Sequence, residues 1–534
     1  MGKLKNKKNS IIFGAATAFL TFAVLMVVYY IISPSAAYFH ADCTDTILWA
    51  QASLDSKSIF NPDFAYAATL PFGGTMIMIP FVAIFGVGMT AHHIGMVIFT
   101  LLMLASFLLL CRSIEMSVSS SFFTVGALAF TLCASEKLRE IFYEHVIYYS
   151  ICVAMISVLL SLLIRFEKAY RAGDKKKAVI FACVAATFTV CSALDGIQVL
   201  ALGIFPVLFA LAVDMFFGKE KILSKENRAA ELGIAVTVVA MAVGMLIYIA
   251  LPRGISVGYS NSYLSYSDME EWVTNLEKFP VAWFDLFGIN AEYGMSIFGF
   301  DSIINIIKLA VSVMILLVPI VGLIFIRKLE KPQRYAVLAH FGVSAVIMFG
   351  FIFGILSTAN WRLSPMICTG LLASAATFTG LRKNIVSVRF EALTACLLVL
   401  LSVVSTVTIA QMPRNGIEYN PKYEIIKELE SRGLDYGYAT FWNSQVITVL
   451  SDSRVHAANV DVNSDGVTPC KYQANIKWFE TQEGVDKYFL LLSDSEVETL
   501  RETNDWFLCD ALVSERIYLD GWTVFVFDNT DFLK

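Results

Sequence analysis

Leu70-Pro71-Phe72-Gly73-Gly74-Thr75-Met76-Ile77-Met78-Ile79-Pro80-Phe81-Val82-Ala83-Ile84-Phe85-Gly86-Val87 is an apolar run whose reading fixes the sidedness of everything after it. A straight bilayer span takes about 20 predominantly apolar residues. Pro71, Gly73, Gly74 and Pro80 suit an interfacial or re-entrant piece better than such a span. Charge decides the matter. If the run crosses, Arg165-Phe166-Glu167-Lys168, Asp174-Lys175-Lys176-Lys177, Lys219 to Arg228 and Arg327 to Arg334 all fall outside. If it does not, they lie inside with the basic start Lys3-Leu4-Lys5-Asn6-Lys7-Lys8. Cytoplasmic loops carry the excess of Lys and Arg, so the run does not cross.

Outward from there, runs fit to span lie near 11–32, 90–111, 119–135, 147–165, 178–194, 197–217, 231–251, 303–326, 335–356, 364–381 and 390–411. The run from Ile11 to Ile32 is an anchor, because a signal peptide's apolar core is only about 7–15 residues. Residues 178–217 have basic flanks on both sides and read as a hairpin that turns outside at Asp195-Gly196. The fold class is therefore an α-helical polytopic membrane protein of about eleven spans. The odd count puts residues 412–534 outside and leaves the N-terminus in the cytoplasm. Residues 1–411 form the membrane domain, with outer loops at 33–90, 136–146 and 252–302.

Composition agrees. Of the 534 residues, 57% are hydrophobic and 16% charged, with a mean hydropathy of +0.66. A soluble chain of this size covers itself with more charge. The tail carries about ten more acidic than basic side chains, which excludes a nucleic-acid partner of the usual basic-faced kind. Most of the ten cysteines sit in apolar runs as small hydrophobes, and no C-x-x-C occurs. Cys470 and Cys509 share the tail and can equally form a disulfide or stay as thiols. Short basic cytoplasmic connections without a P-loop or G-x-G-x-x-G leave the polar groups gathered on the outer face.

The first outer loop reads His40-Ala41-Asp42-Cys43-Thr44-Asp45-Thr46-Ile47-Leu48-Trp49-Ala50, then Asn61-Pro62-Asp63-Phe64-Ala65-Tyr66. Ile47, Ala50 and Leu54 recur at helical spacing, which predicts an amphipathic helix over 44–56 lying on the membrane, with Asp45 at its favourable N-terminus. This loop resembles that of the GT-C class of membrane glycosyltransferases, among them protein O-mannosyltransferases and aminoarabinose transferases. There an acidic residue follows the first span, then an interfacial helix, an aromatic stretch and a Pro-led apolar piece. Asp45-Thr46-Ile47-Leu48-Trp49-Ala50, Phe64-Ala65-Tyr66 and Leu70-Pro71-Phe72-Gly73 match in that order. The class often has an Asp-Glu pair where this chain has Asp45-Thr46, with Asp42 one turn earlier. The catalytic place is thus open between Asp42 and Asp45, and spacing to Trp49-Ala50 favours Asp45.

The same resemblance marks an acidic residue before the next span, for which Glu144 is the nearest match and Glu140 lies one turn before it. It also marks a late Arg followed by Pro, here Trp361-Arg362-Leu363-Ser364-Pro365. The implied activity is inverting transfer of a sugar from a polyprenyl-phosphate donor to an extracytoplasmic acceptor, such as a cell-surface glycan, a lipid or a protein. Asp45 (or Asp42) would be the general base. Arg362, with Arg253 or Lys278 as substitutes, would hold the donor phosphate. Glu144 would orient the acceptor, or with Asp45 bind a divalent cation, Mg or Mn. Glu140, Trp361, Tyr263, Tyr266 and Trp272 are candidate substrate contacts, although Trp and Tyr at this depth also form interfacial belts.

The tail alternates helical and strand-like pieces: a helix at 421–432 ended by Gly433, strands at Tyr436–Phe441, Arg454–Val462, Lys487–Leu492 and Trp522–Phe527, and helices near 443–451 and 494–504. That pattern predicts a small α/β domain. The rival functions are a transporter or flippase of a lipid-linked glycan and a non-catalytic assembly protein. Neither internal repeats nor mid-bilayer charges, the usual marks of a carrier, are present in the sequence.

Overall fold

The computed structural model describes residues 2–217, 224, 227–251, 265–382, 387–463, 466–504 and 512–533. Among them, ten helices are long and apolar enough to cross a membrane, or eleven if one bent pair counts as a single span. The protein is a multi-pass membrane protein. The helices in chain order are α1 (Gly2–Ile32), α2 (Asp45–Ser56), α3 (Met76–Phe85), α4 (Met89–Ser113), α5 (Val118–Thr131), α6 (Tyr148–Arg171), α7 (Lys175–Ala193), α8 (Phe205–Phe217), α9 (Arg228–Ala250), α10 (Glu271–Leu286), α11 (Phe300–Ile324), α12 (Lys331–Ile352), α13 (Ser364–Leu381), α14 (Val388–Gln411), α15 (Tyr423–Ser431), α16 (Phe441–Leu450) and α17 (Asp494–Asn504).

Two compact units divide the chain. The first takes Met1–Tyr29, Ile98–Ala250 and Tyr263–Gln411. The second takes Tyr30–Val97, Leu251–Ser262 and Met412–Lys534, so the loop after the first span folds with the tail.

In the first unit the apolar runs become helices because lipid offers the backbone no hydrogen-bond partners. Ser157, Ser161, Thr189 and Thr377 give their hydroxyl protons to carbonyls one turn back and so carry no unmet donor. Small residues let helices approach closely. A Cβ on Gly244 of α9 would lie 2.6 Å from the Ala193 Cβ and the Val190 carbonyl of α7. The hairpin expected over 178–217 forms: α7 ends at Ala193, Gly196 turns the chain with φ +88°, and the return leg runs Ile197–Phe217. The run expected as a span over 119–135 is shorter and broken. Helix α5 stops at Thr131, and Glu136–Glu144 leaves it at 118°. Ser135 caps the new segment by accepting from the Leu138 N–H.

Several charges among the described residues of this unit are paired. Glu167 on α6 meets Arg171, Lys331 and the Tyr335 hydroxyl, while Asp214 on α8 receives Arg334 of α12. These pairs join three spans through groups that would be expensive to leave unpaired.

In the second unit the tail forms one mixed sheet of order β3-β2-β1-β4-β6-β5, with β1 (Tyr436–Thr440), β2 (His456–Asn463), β3 (Gly466–Pro469), β4 (Tyr488–Ser493), β5 (Glu515–Leu519) and β6 (Trp522–Phe527). Strand β1 pairs in parallel with both β2 and β4, and the remaining pairs are antiparallel. The central strand β4 is buried along nearly its whole length, as a strand covered on both faces should be. Gly433 ends the α15 region with φ +64°, a conformation that favours glycine. Strands β3 and β5 are additions the sequence pattern does not reveal, both being short and half-exposed edges.

Candidate active site

The first loop builds the acidic part of the candidate site within the second unit. A single 3-10 turn, Ala41–Thr44, runs directly into α2, so Asp45 is the first helical residue. Its side chain therefore does not cap the helix. Part of the residue reaches the surface, but Oδ1 is shut off from solvent and has no hydrogen-bond partner. Burial, and secondarily the Asp42 carboxylate, holds the Asp45 carboxyl well above the ordinary carboxylate range. Asp42 and Asp45 thus lie close enough to influence each other, as the one-turn spacing implies.

Helix α2 is not the half-exposed surface helix expected from its periodicity. Thr46, Ile47, Leu48, Trp49, Ala50, Ala52 and Ser53 are all buried: α3 packs on the helix, the tail helix α16 packs on the turn before it, and Gln473 of the tail meets Trp49. Trp49 is 1% exposed and donates its indole N–H to Gln473 Oε1 at 2.7 Å. The aromatic stretch is extended and pairs with the tail: Ala65 N–H donates to the Ala474 carbonyl, and Ile476 N–H to the Asp63 carbonyl, each at 2.9 Å. Lys477 closes the same join through Asp63 at 2.6 Å. Tyr66 stands among Trp49, Phe60 and Phe64, and its hydroxyl accepts from the Asn61 N–H. The Pro-led piece winds as a π-turn, Pro71–Thr75, continuing into α3, a helix too short to span.

The first unit carries the cationic candidates. Arg362, 7% exposed, sits on the 3-10 turn Asn360–Leu363 just before α13. Its guanidinium donates to the Ile355 carbonyl at 2.9 Å and the Thr358 hydroxyl at 3.0 Å, and it lies close to Tyr149 at the start of α6. Glu144 is 2% exposed at the end of the π-turn Glu140–Glu144, five residues before Tyr149. Glu140 pairs with Lys137 at 2.5 Å, while Arg139 turns inward to the Cys133 carbonyl. Lys137 also stands over the Trp361 ring at 4.8 Å, so the second loop and the late Arg turn meet. Asn360 reaches Asp285 of α10.

The remaining described candidates lie on segments that pack against residues 352–363. Lys278 is exposed on α10 and bonds only its neighbour Asn275 among the contacts described. Trp272 donates to the Ser267 carbonyl, and the exposed Tyr266 forms a backbone bridge with Gly354. Arg253, Tyr263 and Cys509 lie outside the described residues. Among the described residues no three His, Cys, Asp or Glu side chains gather in a way that could hold a metal ion. Gln445, Gln473, Tyr149 and Asn360 had no signal in the sequence. Amides and a tyrosine hydroxyl carry no motif, and the first two act from about 400 positions away.

A bundle of apolar spans, an acidic first loop with a short apolar helix, and an α/β tail together have the GT-C fold. Across 98% of its length the chain is similar to 99% of ArnT from Cupriavidus metallidurans bound to undecaprenyl phosphate, with a TM-score of 0.51 at 11% identity. The same protein in the apo state matches over the same shares with a TM-score of 0.46 at 12% identity. The Archaeoglobus fulgidus oligosaccharyltransferase in complex with Zn and sulfate covers 82% of this chain and 62% of its own, with a TM-score of 0.44 at 12% identity. No family model and no curated protein sequence matches the chain.

Proposed function

We propose that this protein transfers a sugar from a polyprenyl-phosphate-type lipid donor to an extracytoplasmic acceptor, with inversion at the anomeric carbon. The acceptor oxygen forms a bond to the anomeric carbon as the bond to phosphate breaks. The acceptor proton passes to Asp45, and polyprenyl phosphate departs with the electron pair. Asp45 suits the base because a buried carboxylate of raised pKa takes a proton more readily than an ordinary one. Arg362 supplies positive charge for the phosphate, which needs a cation more than an acid. Glu144 orients the acceptor, and Asp42 tunes Asp45. The observation that carries this reading is the buried, unpartnered Asp45 Oδ1 in a chain of GT-C fold. The ArnT structure with undecaprenyl phosphate supports the donor class.

The proposal includes sidedness, with N-terminus in the cytoplasm and residues 412–534 outside. In a cysteine-free background, an impermeant thiol reagent should reach Ser495→Cys from outside intact cells and not Ala172→Cys. For the chemistry, purified protein in nanodiscs is incubated with radiolabelled polyprenyl-phosphate sugars and candidate acceptors. Sugar transfer that Asp45→Asn abolishes supports the reading. Movement of intact lipid-linked sugar without transfer would instead favour a flippase.

A further inference from the structure

Helix α2 is gripped at two points by residues of the tail. Thr44, just before Asp45, places its hydroxyl 3.1 Å from Gln445 Oε1, and the Gln445 amide donates to the Gln473 backbone carbonyl. One turn further on, Trp49 donates to Gln473 Oε1. Trp49 lies four residues after Asp45, hence on the same face of the helix. Gln473 is unusual on its own account. It is 1% exposed, and its backbone sits in the left-handed region at φ +56°, which non-glycine residues seldom occupy. Its Oε1 accepts from both Trp49 and the Ala67 N–H at 3.3 Å, which fixes the orientation of the amide. The opposite amide nitrogen is buried without a partner. Strain and an unmet donor in one buried side chain persist only where the surroundings over-determine the conformation, and such residues cluster at functional sites.

We infer that Gln473, supported by Gln445, is a positioning residue that sets the rotation of α2 and thereby the place of the Asp45 carboxylate. This rests on the reading of Asp45 as base given above. It makes the tail a part of the catalytic machinery rather than an appendage: the domain orders the helix that carries the base.

Two variants of the full chain in nanodiscs separate this role from stability. Gln473→Gly deletes the amide yet suits the left-handed backbone, and Trp49→Phe keeps the ring but deletes the donor. Hydrogen exchange should show the α2 amides opening roughly tenfold or more faster in both variants, while those of β1 and β4 are unchanged. Transfer should lose roughly tenfold or more in kcat with the donor KM nearly constant, and the acid limb of kcat/KM should move down as water reaches Asp45. The double variant should lose no more than the worse single one. Unchanged α2 exchange in Gln473→Gly overturns the inference, as does a raised KM with kcat intact. Absence of transfer by the unmodified protein would defeat the proposed function instead, and the exchange measurement would still decide whether Gln473 orders α2.

Discussion

The indole of Trp49 and the amide of Gln473 meet at 2.7 Å although 424 positions separate them along the chain. Residues 63–65 lie against 474–476 in the same region, so the first loop and the tail share hydrogen bonds, side-chain contacts and a common core. Five consequences of this arrangement, of the candidate site and of the charge pairs in the helical bundle can be measured.

Asp45→Asn should cost transfer about 10²- to 10⁴-fold, the usual contribution of a general base. Its effect on stability should run the other way. The folded pKa of Asp45 is raised, so the native state holds its proton more tightly than the unfolded chain does. The stability it contributes is present below the unfolded carboxylate pKa and lost as pH rises through the folded one. At neutral pH the asparagine variant should therefore unfold at the same or a higher temperature, which thermal scans in detergent would show.

Asp42→Asn removes the secondary cause of the Asp45 shift while leaving burial in place. The acid limb of kcat/KM should move to lower pH, with retention of most activity at pH 7. If Asp42→Asn instead abolishes transfer while Asp45→Asn spares it, the two carboxylates have been assigned in the wrong order.

Arg362→Ala should lower kcat/KM for the lipid donor by about 10²- to 10³-fold, comparable to losing one donor to a developing oxyanion. Arg362→Lys keeps the charge but not the planar fork that bridges Ile355 and Thr358. It should fall between the two, and added salt should rescue neither.

His456 of β2 has a buried Nε2 without a partner, and burial lowers its pKa from 6.5 to about 4. The unfolded chain binds the proton more readily, so stability is greatest above pH 6.5 and is lost as pH falls towards 4. The loss amounts to about 3 kcal/mol at its limit. His456→Phe should flatten the dependence of unfolding on pH over this window, as followed by intrinsic fluorescence.

Asp214→Asn in the bundle leaves Arg334 without its main partner. Breaking a buried pair costs about 3–5 kcal/mol, whereas replacing both members with apolar groups is often neutral. The single variant should therefore lower the unfolding temperature of the purified protein markedly, and Asp214→Leu with Arg334→Met should recover most of it.

Apolar runs, basic connections and Pro-Gly punctuation carried the membrane architecture in plain view. Residues 70–87 do stop short of a span, 178–217 does fold back at Gly196, and four strands of the tail fall where alternation puts them. These are local properties: a run is long enough to cross lipid or it is not, and its neighbours in sequence decide. The order of motifs in the first loop likewise sufficed to mark the GT-C fold. Tertiary structure decided how deeply α2 is buried and that Asp45 Oδ1 has no partner. It also brought Gln445 and Gln473 to the helix that bears the candidate base. Periodicity reports which faces are apolar but not what covers them. Burial, desolvation and hydrogen bonds between distant residues exist only once the chain has closed on itself.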